Sequence, residues 1–253
     1  MKNYDSVELS SIDRQLSELP AGLTIFEPFL KHEAKESIES GGEVFVSEDS
    51  SGKKDGLFIY DPYEETGTIF TKSRESFELF LRLRPHSYIF SEFLAEDYQR
   101  DVWNIWQLDI NNVQSGHRFR YVVSIEYDAD EIERFMMSTQ PETNRRWIRV
   151  ALNNGDKCFV VKISGRIVGM AWLTIAGDMA RSHSVYVEPQ FRRMGVMTDN
   201  LQARLIYLKS RGVKTLINEI AESNVASSGH AIKGGERMIG KMFLYNSQSD
   251  PET

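Results

Sequence analysis

The chain has 253 residues, 41% of them hydrophobic and 26% charged, with a formal net charge of −7. That acidic balance argues against a general nucleic-acid or anionic-membrane binder, though it leaves room for a local basic site. A single cysteine, Cys158, excludes an internal disulfide and a thiolate metal cluster.

The opening "MKNYDSVELS" lacks a signal-peptide core, and no apolar run approaches ~20 residues, which predicts a soluble cytoplasmic protein. In the first half, "GGEVFVSEDSSGKKDGLFIY" reads as a hairpin with a solvated acidic turn, followed by "FTKSRESFELFL" and "FSEFLAED". In "DYQRDVWNIWQLD", Trp103 and Trp106 are three apart, a helical spacing that predicts a helix packed between domains. "SGHRF" then marks a junction, giving domains 1–117 and 118–253.

The second half is predicted in more detail. "RFRYVVSIEY" is a strand, and "DADEIERFMM" and "PETNRRWIRVALNN" are helices. "KCFVVKI" and "IVGMAWLTI" are strands around a Ser164-Gly165 turn, with Cys158 as a small buried hydrophobe. "SHSVYVE" is the next strand. Met197, Leu201, Leu205 and Leu208 then recur at helical spacing up to Gly212. "KTLINEI" is a strand, "SNVASSGHAIKGG" a short helix opened by Ser223 or Asn224, "RMIGKMFLY" a last strand and "NSQSDPET" a frayed tail. The class is α/β with a mixed, mostly antiparallel sheet flanked by helices.

The two halves echo one another. The first hairpin lies on "GDKCFVVKISGRIVGMAWL" with Gly41 on Gly155, Phe45 on Phe159, Val46 on Val160 and Gly56 on Gly169; further on, Glu92 falls on Glu219. Such an outline suggests two tandem copies. One stretch has no counterpart: "VEPQFRRMGVMTDNL" places Arg192, Arg193 and Gly195 where a strand gives way to a helix. A helix start offers unpaired backbone N–H groups and the positive end of a dipole, and arginine adds forked donors, so this turn suits an anion. The plainer reading pairs Arg192 with Glu188 or with an acidic residue of the other half.

Strand, Val-x-Pro, Arg-x-x-Gly and helix together resemble the acetyl-CoA motif of the GNAT superfamily of N-acetyltransferases, here Arg192-Arg193-Met194-Gly195-Val196-Met197. The resemblance covers the second half and implies acetyl-CoA as cosubstrate, with no metal. It implies cofactor contacts from Val185, Tyr186, Val187, the turn from Arg192 through Val196 to Met197 and Thr198, and from Asn224 and Ser227. The first half resembles a degenerate copy without that turn. Three departures stand out, one being Gly235-Glu236 where the family usually has Gly-Phe. Met197 replaces a small residue, and Ala231 occupies the position where the family often has a tyrosine that protonates the leaving thiolate.

The implied reaction transfers an acetyl group to a primary amine of a small molecule or peptide, through direct attack in a ternary complex. An attacking amine must be neutral, so a base is required. His183, on the strand leading into the motif, has a suitable imidazole, and Glu219 is the second candidate. His230 is a candidate replacement for the missing tyrosine. By alternation Tyr186 faces away from His183. The competing reading is a non-catalytic acyl-CoA-binding regulatory module. Either a monomer or a homodimer fits, because tandem copies can supply the pairing that single domains obtain by dimerising.

Overall fold

Every element expected after residue 118 is present in the computed structural model, which describes residues 3–246 except 86, 114, 115, 140, 142 and 143. Of the expected tail over 246–253, Asn246 closes the last strand and 247–253 lie outside the described residues, as does residue 115 of the expected junction. The elements run β1 (Asn3–Ser6), α1 (Ile12–Ser17), α2 (Leu30–Ser40), β2 (Glu43–Glu48), β3 (Lys54–Asp61), β4 (Thr66–Thr71), α3 (Arg74–Leu83), β5 (Tyr88–Ser91) and β6 (Arg100–Asp109). They continue with β7 (Val123–Glu126), α4 (Ala129–Thr139), α5 (Arg145–Asn154), β8 (Lys157–Ile163), β9 (Arg166–Ala176), β10 (Met179–Val187), α6 (Val196–Ser210), β11 (Thr215–Ala221), α7 (Val225–Lys233) and β12 (Arg237–Asn246). Among the described residues no helix is long and apolar enough to cross a membrane.

The chain forms two units. One comprises the described residues of Met1–Asn104, Ala221–Ser223 and Gly240–Thr253; the other comprises those of Ile105–Ile220 and Asn224–Ile239. The division expected at 117/118 falls inside the second unit. In the first unit the strand order is β1-β2-β3-β4-β5-β12, antiparallel except for the parallel pair β4–β5. The strand that pairs with β5 therefore comes from the far end of the sequence, with Phe243 opposite Ser91 and Asn246 opposite Tyr88, and β6 follows it in the strand order. Tyr245 anchors it. Its ring is fully buried 4.9 Å from that of Phe77, and its hydroxyl donates to Phe93 O at 2.6 Å while accepting from Ala95 N at 2.9 Å.

In the second unit β7, β8, β9 and β10 are antiparallel neighbours and β11 joins β10 in parallel. Leu201, Leu205 and Leu208 of α6 pack with Phe159, Leu173 and Leu216 on one face. Helices α4 and α5 cover the other face, placing Ile132, Phe135 and Ile148 against Cys158, Met170 and Trp172. Cys158 is fully buried, and that burial pushes its thiol far above the ordinary range, so it acts as a small apolar side chain.

The echo between the halves extends to strand register. In the first unit Phe45 pairs with Phe58 and Ser47 with Gly56; in the second Phe159 pairs with Ala171 and Val161 with Gly169, and each ladder shifts immediately afterwards. Both glycines admit a helix. A Cβ on Gly56 would sit 2.6 Å from Ser47 Oγ and 3.2 Å from Phe80 on α3, and one on Gly169 would sit 2.7 Å from Val196 Cγ1 on α6.

The expected helix around Trp103 and Trp106 is instead strand β6. The run "VWNIWQL" combines β-branched and aromatic residues, which favour a pleated, half-buried surface, and Trp103 rests edge-on against Phe90 at 5.4 Å. Spacing alone did not separate the two periods.

The buried ring and two hydrogen bonds of Tyr245 fasten β12 within the first unit. Tyr245→Ala is expected to cost about 3–5 kcal/mol, as for other buried aromatic truncations. A fall in the urea midpoint of that order checks this, and an unchanged midpoint refutes it.

Candidate functional site

The two parallel strands that carry the predicted catalytic residues are paired over only part of their length. Pairing runs from Met179–Thr215 to Ser182–Asn218, whereas β10 continues to Val187 and β11 to Ala221. On its other side β10 departs from regular pairing at the same level. His183 lies opposite Trp172 and Tyr186 opposite Met170, so Ser184 and Val185 together face Ala171 alone. Ser184 adopts a positive φ of 48°, the conformation of a bulge residue.

This bulge corrects the expected orientation of Tyr186. The extra residue reverses the alternation, and Tyr186 faces the same helices as His183: its ring lies 6.0 Å from Phe135 of α4, while His183 lies 5.8 Å from Trp147 of α5. Val185 is half exposed.

His183 is held from two sides. Its Nε2 lies 3.1 Å from Thr174 Oγ1, whose hydroxyl donates to the buried Asp156 at 2.7 Å, and its Nδ1 lies 3.3 Å from Ser184 Oγ. Glu219 accepts from Arg181 Nε at 2.8 Å and is largely buried. Protonating Glu219 would break that ion pair. Its counterpart Glu92 also has a local duty, accepting from the Thr24 hydroxyl and the Ile25 amide.

The turn after β10 leads to an uncapped helix start. Arg193 has φ +63° and Gly195 φ +91°, and Gly195 occupies the N-cap position of α6 without any side-chain cap bond. The first amide to find a helical acceptor is that of Asp199, which donates to Gly195 O at 3.0 Å. Val196 is buried against Gly169, while Arg193, Met194 and Thr198 are exposed. Arg192 donates to Val187 O at 3.1 Å and lies 5.7 Å over the Tyr186 ring; Glu188 is engaged with Arg166 and Gln190, at 2.7 and 2.6 Å. Met197 runs along the helix, its sulfur 3.9 Å from Arg204 Nη2.

In the first unit the equivalent helix satisfies its own start. Only Lys72 and Ser73 lie between β4 and α3, where residues 188–195 separate β10 from α6. Ser73 caps α3 by accepting from Ser76 N, Thr71 Oγ1 takes the Ser73 amide, and the Asp55 carboxylate accepts from Ser76 Oγ at 2.9 Å.

The acid in the first turn of α6 bonds to residues 117–121 and leaves the helix uncapped. Asp199, 1% exposed, accepts from the amides of Arg120 and Tyr121 at 2.7 and 2.8 Å and lies 2.6 Å from His117 Nε2. Burial alone would raise its carboxyl, but the His117 contact and the two amides outweigh that and hold it below the ordinary carboxylate value. The same fastening brings Arg120 to the turn, where its Cδ and Nη1 would lie 3.7 and 3.8 Å from a Cβ on Gly195. Nothing in the local sequence pattern had marked His117, Arg120 or Asp199, because their partners are some 80 residues away.

Asn224 opens α7 as expected and accepts from Ser227 N at 3.1 Å. His230 lies on the same helix with its Nε2 buried. Burial first, then the positive Arg204 and Lys233, lower its imidazole below the ordinary 6.5. At neutral pH it is therefore uncharged and a poor proton donor. Arg204 is buried and pushed down to about 10, which still leaves it charged.

Residues 120–229 match the model of the acetyltransferase (GNAT) family. No curated protein matches the chain in sequence. Among solved structures, a tandem GNAT protein from the clavulanic acid biosynthesis pathway aligns over 99% of this chain and 100% of its own, at 11% identity and TM-score 0.64. A GCN5-related N-acetyltransferase from Sphaerobacter thermophilus aligns over 96% and 94%, at 12% identity and TM-score 0.60. A GNAT-family acetyltransferase from Colwellia psychrerythraea aligns over 96% and 98%, at 11% identity and TM-score 0.59. At such identities the likeness is one of fold, a tandem GNAT architecture.

Because the folded-state carboxyl of Asp199 is depressed, its stabilisation is complete well above the ordinary value of 3.8 and is lost as pH falls past that value towards the folded one. Asp199→Asn is expected to destabilise by about 1–3 kcal/mol at pH 7, the cost of weakening hydrogen bonds to a charged acceptor. The gap from the parent should shrink at pH 3. Denaturant midpoints at the two values test this, and a gap independent of pH refutes it.

Proposed function

With residues 120–229 a domain of the acetyltransferase (GNAT) family, we propose that this chain transfers an acetyl group from acetyl-CoA to a primary amine of a small molecule or peptide. The observation that carries the reading is the uncapped start of α6, with Gly195 at φ +91° and arginines on the approach. Unpaired amides, the helix dipole and fixed cations are what a pyrophosphate requires. In the first unit the matching helix is capped by its own Ser73, so binding is assigned to the second unit alone.

The opening between β10 and β11 beyond Ser182 and Asn218 accommodates the pantetheine arm and brings the thioester to the bulge. His183 serves as base in preference to Glu219, which is committed to Arg181. The amine nitrogen attacks the thioester carbonyl carbon, a bulge amide at Ser184 or Val185 stabilises the oxyanion, and the C–S bond breaks with sulfur keeping the electron pair. The thiolate takes its proton from solvent, since Ala231 has none to give and His230 is neutral.

Titration calorimetry should give one acetyl-CoA site per chain. In Gly195→Val a β-branched side chain is forced into positive φ beside Arg120 and disturbs the amides, so affinity should fall by at least ~2 kcal/mol while the fold survives. Unchanged affinity in the folded variant would make the turn purely structural.

His183→Gln should lower thiol release with a working amine by ~10²–10⁴ at neutral pH, recovering as pH rises and free amine becomes available. Acetyl-CoA binding without thiol release from any of a panel of amines would instead support the regulatory module.

A further inference from the structure

The surroundings of His183 determine which of its two nitrogens is basic. Asp156 is 2% exposed, and its Oδ2 accepts the Thr174 hydroxyl at 2.7 Å. A hydroxyl has one proton, so a threonine that donates to a carboxylate can only accept from its other neighbour. That neighbour is His183 Nε2, at 3.1 Å. Nε2 must therefore carry hydrogen, and in the neutral imidazole the lone pair resides on Nδ1. The direct distance from Nε2 to Asp156 Oδ2 is 3.9 Å, too long for a hydrogen bond, so Thr174 makes the link. Nδ1 faces the bulge, 3.3 Å from the hydroxyl of Ser184 with its positive φ. Trp147 lies against the ring at 5.8 Å and limits its rotation.

We propose that Asp156 and Thr174 are positioning residues that hold His183 in the Nε2–H form, leaving Nδ1 at the bulge to receive the amine proton. This rests on the reading of His183 as the base. As the C–N bond forms, the proton leaves the amine nitrogen for Nδ1, directly or through the Ser184 hydroxyl, and gives an imidazolium whose Nε2–H still points to Thr174. The carboxylate beyond Thr174 favours that cation. With the tautomers reversed, Nδ1 would present hydrogen to the incoming amine and could accept nothing.

The form of the imidazole can be read without turnover. Long-range ¹H–¹⁵N spectra of the full-length protein labelled in histidine, with His183 assigned by its loss in His183→Gln, should show a protonated Nε2 and a bare Nδ1 above the imidazole titration. Thr174→Val, close in shape, should mix the two forms and lower kcat on the order of tenfold or more with little change in KM for acetyl-CoA, because a base in the wrong tautomer cannot accept its proton. Thr174→Ser should restore both readouts and controls for packing. A protonated Nδ1 in the parent, or a Thr174→Val protein with parental spectrum and kcat, overturns the proposal. If His183→Gln keeps its rate, the base reading fails and the proton step fails with it, whatever the spectrum shows.

Discussion

Val196 can lie against strand β9 only because residue 169 has no side chain; a Cβ there would come within 2.7 Å of Val196 Cγ1. That contact fixes where α6 begins on the sheet. Gly195, immediately before it, turns the chain through a positive φ, and Asp199 in the same turn fastens 117–121 beside the helix start. The amides, the arginines and the bulged end of β10 thus occupy one end of the second unit because a methyl group is missing from β9.

The first unit uses the same device for another result. Gly56 admits α3 as Gly169 admits α6, at the same register of the same hairpin. There the connection is short, Ser73 caps the helix, and Asp55 with Ser47 and Ser76 fills the adjoining polar positions. The two copies share the hairpin and its glycine, while the loop that leaves amides unsatisfied exists in one of them. A helix start that satisfies itself is more stable alone and less useful to an anion.

Most of the architecture was legible in the sequence where local signals sufficed. Apolar periodicity and turn residues outlined the ten elements from "RFRYVVSIEY" onward, and strand β8 coincides with the expected "KCFVVKI". Failures came where two local signals compete or where a partner is remote. Trp103 and Trp106 satisfy a helical interval, yet their β-forming neighbours prevail. Strict alternation misplaced Tyr186, because a serine in a left-handed conformation leaves no mark in residue identity. His183 and the Gly195 turn were found through a motif, whereas Asp156, Thr174 and Asp199 matter through contacts that only the folded sheet creates.

The placing of β12 bears on how the chain emerges during synthesis. Phe93 and Tyr245 are 152 residues apart, yet the strand that carries Tyr245 is the one that pairs with β5. Domains generally fold as they leave the ribosome, N-terminal first. Here the edge of β5, with its unpaired backbone and the ring of Phe77, waits until nearly all of the second unit has been translated. The earliest part of the protein to be made is the last able to finish folding, and until then one edge of β5 stands open.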